Sequence, residues 1–208
     1  MRFSGTALAL ALMMTGTTAL AENQIGFFHE KVVESITIQA DPAKVWALVS
    51  DFEGVAHWNS TVAKSTAIDE DREYLTRAVT YKEDIGKEVD VLDDRSDAEM
   101  SLHYHVTANP WPVSRYTVSM RVTKGAVPGT SVVEWRGAFD VKGILAGGDD
   151  NRERSGPNPG PIVFGLDIQT SNDSAYTTRT YVRDTRTVKL ISDLYRAGLD
   201  SLKWVVER

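Results

Sequence analysis

Between Ile36 and Phe52 the chain changes from a strand pattern to a capped helix within a single residue. Val32, Glu34, Ile36 and Ile38 alternate with Val33, Ser35, Thr37 and Gln39, the period of two expected of a half-buried strand. Asp41 then stands where a side-chain oxygen accepts the unpaired amide hydrogens of a helix beginning at Pro42, whose fixed φ and missing N–H suit a first helical turn. Val45, Trp46, Leu48, Val49 and Phe52 continue as an apolar helical face. A short strand leading straight into a short Trp-bearing helix confines the chain to folds in which a sheet and a helix share one core.

Further along, turn residues recur at regular intervals. Strands are predicted over 60–66, 72–81, 87–93, 97–107, 116–123 and 131–141, with turns at 82–86, 94–96, 109–112 and 124–130, which is the spacing of an antiparallel meander. Two strands alternate cleanly: Leu102, Tyr104 and Val106 oppose Ser101, His103 and His105, and Tyr116, Val118, Met120 and Val122 oppose Thr117, Ser119 and Arg121. On the next strand Val133, Trp135, Gly137 and Phe139 are expected inside, and a glycine between two bulky aromatics marks a bend or a close approach by another group. From Gly143 to about Ala175 the pattern dissolves into Gly, Pro, Asp, Asn and Ser, and an irregular insertion is expected. Val188, Ile191, Tyr195, Gly198, Leu199, Leu202, Val205 and Val206 then follow helical spacing over 187–206. The sum is an α+β, helix-grip architecture: a curved antiparallel sheet around a long C-terminal helix, with enclosed space walled by aromatic side chains. A lipocalin-like barrel is the alternative, and the early strand-to-helix switch disfavours it.

Arg2, the apolar run Ala7 to Met14 and the small residues Ala19-Leu20-Ala21 read as a cleavable signal peptide over 1–21, leaving 22–208 as a single domain. That predicts a periplasmic protein with no transmembrane segment, the apolar run being too short to span a bilayer. The absence of cysteine removes disulfides, thiolate nucleophiles and cysteine-ligated metals. A net charge of −6, with basic residues scattered among acids, argues against nucleic acid and fits either simple solubility or attraction of a basic partner.

Four segments carry a resemblance: Ala40 to Val49 with trailing Asp51-Phe52; Pro112-Val113-Ser114-Arg115-Tyr116; Ser131 to Phe139; and Tyr195 to Lys203. In order and spacing they resemble the START-like (SRPBCC) superfamily, in its polyketide cyclase/dehydrase and lipid-transport branch. Within it the signal peptide, the Pro-Val-x-x-Tyr segment and the Glu134-Trp135-x-Gly137-x-Phe139 strand are most similar to the MxaD-type periplasmic proteins associated with methanol oxidation. That resemblance implies a small hydrophobic ligand, or an accessory role beside a periplasmic dehydrogenase or cytochrome. The segment 143–180 and the turn 82–86 are longer than the MxaD pattern, and loops carry recognition on a shared scaffold.

For chemistry, the inward aromatics Tyr104, Tyr116 and Trp135, with Met120, Phe139 and Tyr195, are the candidates for lining a ligand cavity; the alternative is ordinary core packing. Arg115 and Arg77 are candidate anchors for an anionic ligand, and Trp111, bracketed by Pro110 and Pro112, is a candidate partner-binding residue if its indole points outward rather than back over the sheet. His103 and His105 share a strand face but lack a third ligand and are expected to face solvent, so no metal and no cofactor is assigned. No hydrolase, zinc-protease or phosphate-loop motif occurs, and no catalytic residue is assigned. A ligand-binding or accessory protein is therefore expected. The alternative is a cyclase or dehydrase, which requires a polar cluster inside, such as His57 with Tyr104 or Arg77.

Overall fold

The computed structural model describes residues 26–68, 74–145, 168–174 and 177–208, with the backbone alone for 144–145, 168–174 and 177–180. The expected signal peptide and much of the expected insertion lie outside these residues. The first strand, β1 (Phe27–Ile38), is followed by helix α1 (Pro42–Val49) and a 3-10 helix (Glu53–His57). A meander follows: β2 (Val62–Ala67), β3 (Thr76–Tyr81), β4 (Lys87–Ser96), β5 (Ser101–Ala108), β6 (Val113–Lys124) and β7 (Ser131–Lys142). Two residues of β8 (Ile144–Leu145), then β9 (Ile168–Ser174) and β10 (Thr177–Val182), precede helix α2 (Thr185–Val206).

Each strand of the meander pairs with the next, and β1 returns to pair with β7 along its whole length, from Phe27 opposite Lys142 to Ile38 opposite Ser131. The result is a seven-stranded antiparallel sheet in the order β1-β7-β6-β5-β4-β3-β2, with α2 packed across it: the α+β helix-grip fold. The strand-to-helix switch forms as the residues dictate, since Asp41 Oδ1 accepts from the Ala43 amide at 2.9 Å with Pro42 in the first turn. On α2, Asp184 caps the start by accepting from the Arg186 amide at 3.1 Å and the Thr187 hydroxyl at 2.9 Å. The other end is fastened by Lys44 Nζ, which donates to the Val206 carbonyl at 2.6 Å, and by Lys203 Nζ, which donates to that of Thr37 at 3.0 Å. No helix among the described residues is long and apolar enough to cross a membrane.

Two expectations are corrected. The turn read over 94–96 lies at 97–100 instead, because β4 runs on to Ser96, with Arg95 opposite Leu102 and Ser96 opposite Ser101. An irregularity between Leu92 and Asp94 lets this polar strand end stay in the ladder, where its composition alone reads as a turn. The segment 143–175 is not irregular throughout, since β8 and β9 pair with β10 in a separate three-stranded sheet.

Candidate functional site

The inner face of the sheet follows from the period of two. Tyr104 on β5, Tyr116 and Met120 on β6, and Trp135 and Phe139 on β7 are all buried, as is Tyr195 on α2. Trp135 and Tyr195 stack with ring centres 4.5 Å apart and planes within 10°, and the Tyr195 hydroxyl meets that of Tyr116 at 2.7 Å. Helix and sheet come this close because of two glycines. A Cβ on Gly137 would run into the Tyr195 hydroxyl, and one on Gly198 would fall 2.7 Å from the Trp135 ring.

On the neighbouring strands the inner face is charged. Arg77 and Asp90 sit opposite each other on β3 and β4, with Glu88 two residues away on the same face as Asp90. Arg77 Nε donates to Asp90 Oδ2 at 2.8 Å, and its Nη1 donates to the Phe52 carbonyl. The guanidinium lies 4.1 Å from the Phe52 ring centre and 5.1 Å from that of Tyr104. The Tyr81 hydroxyl donates to Glu88 Oε1 at 3.2 Å, while Asp90 Oδ1, fully buried, has no hydrogen-bond partner. Burial, and after it the charge of Asp90, pushes the Glu88 carboxyl well above the usual carboxylate range. Burial works against the charge on Arg77, but Asp90, Tyr104 and Glu88 together outweigh it and the guanidinium ends raised. Burial also raises the phenols of Tyr81, Tyr104, Tyr116 and Tyr195 well above their ordinary value, so all four are neutral donors at physiological pH.

These groups surround a void of about 10 Å³, bordered by Arg77, Tyr81, Glu88, Tyr104, Tyr116, Trp135, Tyr195 and Asn59. Such a space is no larger than one water molecule. The enclosed space expected behind the aromatic wall is small: the stacked Trp135 and Tyr195, with Trp58 edge-on to Trp135 at 5.9 Å and Phe52 edge-on to Tyr104 at 5.6 Å, fill most of it.

Of the six aromatic and methionine candidates, Tyr104, Tyr116, Trp135 and Tyr195 meet at the void. Met120 and Phe139 are buried away from it, Phe139 with its ring 5.4 Å from that of Tyr116. Arg77 points in, but Arg115 does not. Next to the inward Tyr116 it falls on the outer face by alternation and pairs there with Asp140, within an irregularity between Ser114 and Thr117 at which Arg115 has φ 49°. Of the two orientations open to Trp111, the fold takes the one that turns the indole back over the sheet. Its indole is half-buried and meets Tyr81 edge-on with ring centres 5.5 Å apart, because packing against a buried phenol removes more apolar surface from water than projecting from a loop. His103 is exposed on the outer face, and His105 Nδ1 lies 2.7 Å from Asp93 Oδ1 there. His57 is exposed and stands outside the cluster proposed for it with Tyr104 or Arg77.

Glu88 and Asp90 were not singled out from sequence. In Glu88-Val89-Asp90-Val91 the rule of apolar residues inward selects the valines, which here are only half-buried. The available signal lay across the hairpin, since a short turn at 82–86 places Arg77 opposite a carboxylate.

Among known proteins, residues 29–153 match the family model for polyketide cyclase / dehydrase and lipid transport. A search of curated proteins finds no match. The fold is similar to an uncharacterized protein of Bacillus thuringiensis, with a TM-score of 0.62 and 19% identity over 86% of this chain and 100% of that one. It is similar to XoxI from Bacillus cereus, with 0.60 and 20% over 85% and 94% of the two chains. It is likewise similar to the Zhui aromatase/cyclase from Streptomyces sp. R1128, with 0.57 and 16% over 87% and 95%. With the match spanning more than half of its length, the chain belongs to the polyketide cyclase / dehydrase and lipid transport family.

Proposed function

We propose that the protein binds a small, planar, largely aromatic molecule carrying a hydroxyl or carbonyl group, in the interior beside Arg77. The observation that carries this reading is a buried polar cluster set into an aromatic wall, with Arg77, Tyr81, Glu88 and Tyr104 bordering one enclosed void beside Trp135 and Tyr195. Aromatic walls with a few convergent polar groups are the general form of a small-molecule site. Native mass spectrometry of the freshly purified protein, followed by titration with 2-naphthol, tests the reading. Retention of a small molecule or saturable binding supports it; an empty protein that binds neither 2-naphthol nor an apolar dye overturns it.

A second reading, a cyclase or dehydrase, is favoured by the same cluster. Glu88, whose carboxyl is shifted toward its protonated form by burial and by Asp90, would serve as the proton donor, and the nearby guanidinium of Arg77 would stabilise a developing oxyanion. A Glu88→Gln variant that binds 2-naphthol normally separates the two: loss of turnover of a linear polyketide surrogate favours the enzyme, and absence of turnover in the unaltered protein favours the binder.

We also propose export to the periplasm through the segment 1–21, supported by Arg2, the apolar run to Met14 and Ala19-Leu20-Ala21. There the dehydrogenase or cytochrome implied by the MxaD-type resemblance would be met. Fractionation with N-terminal sequencing expects a mature chain starting at Glu22, and pull-down from periplasmic extract tests the partner.

A further inference from the structure

A groove of about 570 Å³ opens on the surface between residues 56–60 and one side of α2. Lys82 joins the first wall, since its amide donates to the Thr61 carbonyl at 2.9 Å and so sets it beside that segment. The second wall is Ala197, Asp200, Ser201, Trp204 and Val205, whose steps of three and four residues place them on one face of the helix. The helix turns Tyr195, Leu199, Leu202 and Val206 into the core, and on the groove side it carries the small Ala197 and Ser201, where longer side chains would close the gap. The walls are joined by the Ser60 hydroxyl, which donates to Ser201 Oγ, whose own hydrogen goes to the Ala197 carbonyl at 2.7 Å.

Two tryptophans line this groove in opposite circumstances. Trp58 is buried and packed edge-on to Trp135, so its side of the groove is rigid. Trp204 is 56% exposed, which leaves a large apolar ring in water beside a concave surface, the arrangement a flat ligand would cover. The charges decide which ligand. Lys82 and Asp200 stand on opposite walls, both exposed, and neither makes an ion pair among the described residues. The Arg208 guanidinium already lies over the Trp204 ring, in the place a cationic ligand would seek. A second cation would be repelled there, whereas an anion is drawn by Arg208 and Lys82 against the single carboxylate of Asp200.

We propose that this groove is a second binding site, outside the interior, for a flat aromatic molecule carrying an anionic group, with its rings against Trp204 and its charge toward Lys82. The volume suits such a ligand, since small-molecule sites occupy about 300–1,000 Å³. The site needs no opening of the core, because every group it uses already faces the groove. It stands or falls separately from binding beside Arg77.

The test titrates the whole protein with 8-anilinonaphthalene-1-sulfonate, an aromatic anion, and follows the indole signals in a nitrogen–proton correlation spectrum. The Trp204 signal is expected to shift with saturation. Trp204→Ala is expected to weaken binding about tenfold and Lys82→Gln about threefold. Both side chains are exposed, so neither variant touches the core. N-phenyl-1-naphthylamine, which has the same rings without the sulfonate, is expected to be weakened by Trp204→Ala alone. Equal affinity of the sulfonate for the natural protein and Trp204→Ala overturns the site, as does a shift of Trp135 with Trp204 unmoved, which would assign the probe to the interior. Tighter binding of 1-naphthylmethylammonium, an aromatic cation, than of the sulfonate overturns the charge assigned to the ligand.

Discussion

The hydroxyls of Tyr116 and Tyr195 meet at 2.7 Å inside the protein, joining β6 to the C-terminal helix across 79 residues of sequence. Both phenols are raised by burial and stay neutral, so one donates and the other accepts. Tyr195→Phe leaves the Tyr116 hydroxyl buried without its partner and is expected to cost about 1–3 kcal/mol in urea unfolding. Tyr116→Phe is expected to do the same. The double variant should cost less than the sum of the two, because no hydroxyl is then stranded.

Gly137 makes that meeting possible. Its place between Trp135 and Phe139 marks a close approach in the sequence, and the group approaching is the Tyr195 hydroxyl, with Tyr116 also within 3.2 Å of where a Cβ would stand. Gly137→Ala therefore forces α2 away from the sheet, at about 1–3 kcal/mol. Thermal unfolding checks it, and an unchanged midpoint contradicts it.

Much of this was legible beforehand. The Asp41-Pro42 cap, the inward sets of β5, β6 and β7 and the apolar stripe of α2 all follow from strong local periodicity, and each stands where that periodicity places it. What was not legible breaks a local rule. The bulge between Ser114 and Thr117, which leaves Ser114 and Arg115 both exposed, is announced by no residue type in advance. Glu88 and Asp90 reverse the usual preference of carboxylates for water because Arg77 stands opposite, which is a property of register and not of either segment alone. The volume of the interior is similarly set by how closely the rings of Trp135 and Tyr195 stack, which composition does not contain.

Arg77 and Asp90 form an ion pair removed from solvent. Breaking such a pair leaves one charge buried alone, so Arg77→Met is expected to lower stability by about 3–5 kcal/mol. Arg77→Met/Asp90→Leu, which removes both charges, should recover a substantial part of that loss in the same urea titration.

Glu88 gives the fold a pH dependence of definite sign. Its carboxyl is raised in the folded protein, first by burial and then by Asp90, so the folded state keeps a proton that the unfolded chain releases. The contribution of this group is thus present in full below the ordinary glutamate range and is lost as pH rises toward the elevated folded value, with a slope of up to about 1.4 kcal/mol per pH unit. Glu88→Gln carries no such proton. Urea midpoints measured across pH should fall more steeply for the natural protein than for the variant, and parallel curves would contradict this placement of Glu88.

The account turns on whether a ligand enters beside Arg77, and the chain's five indole N–H groups report on that one by one. Trp135 borders the void with its Nε1 buried, Trp46 Nε1 donates to Asp97 Oδ1 at 3.0 Å, and Trp204 is exposed on α2. In a nitrogen–proton correlation spectrum titrated with 2-naphthol, the Trp135 indole signal should shift with saturation while that of Trp46 stays fixed. Shifts confined to Trp204, or none at all, would contradict interior binding.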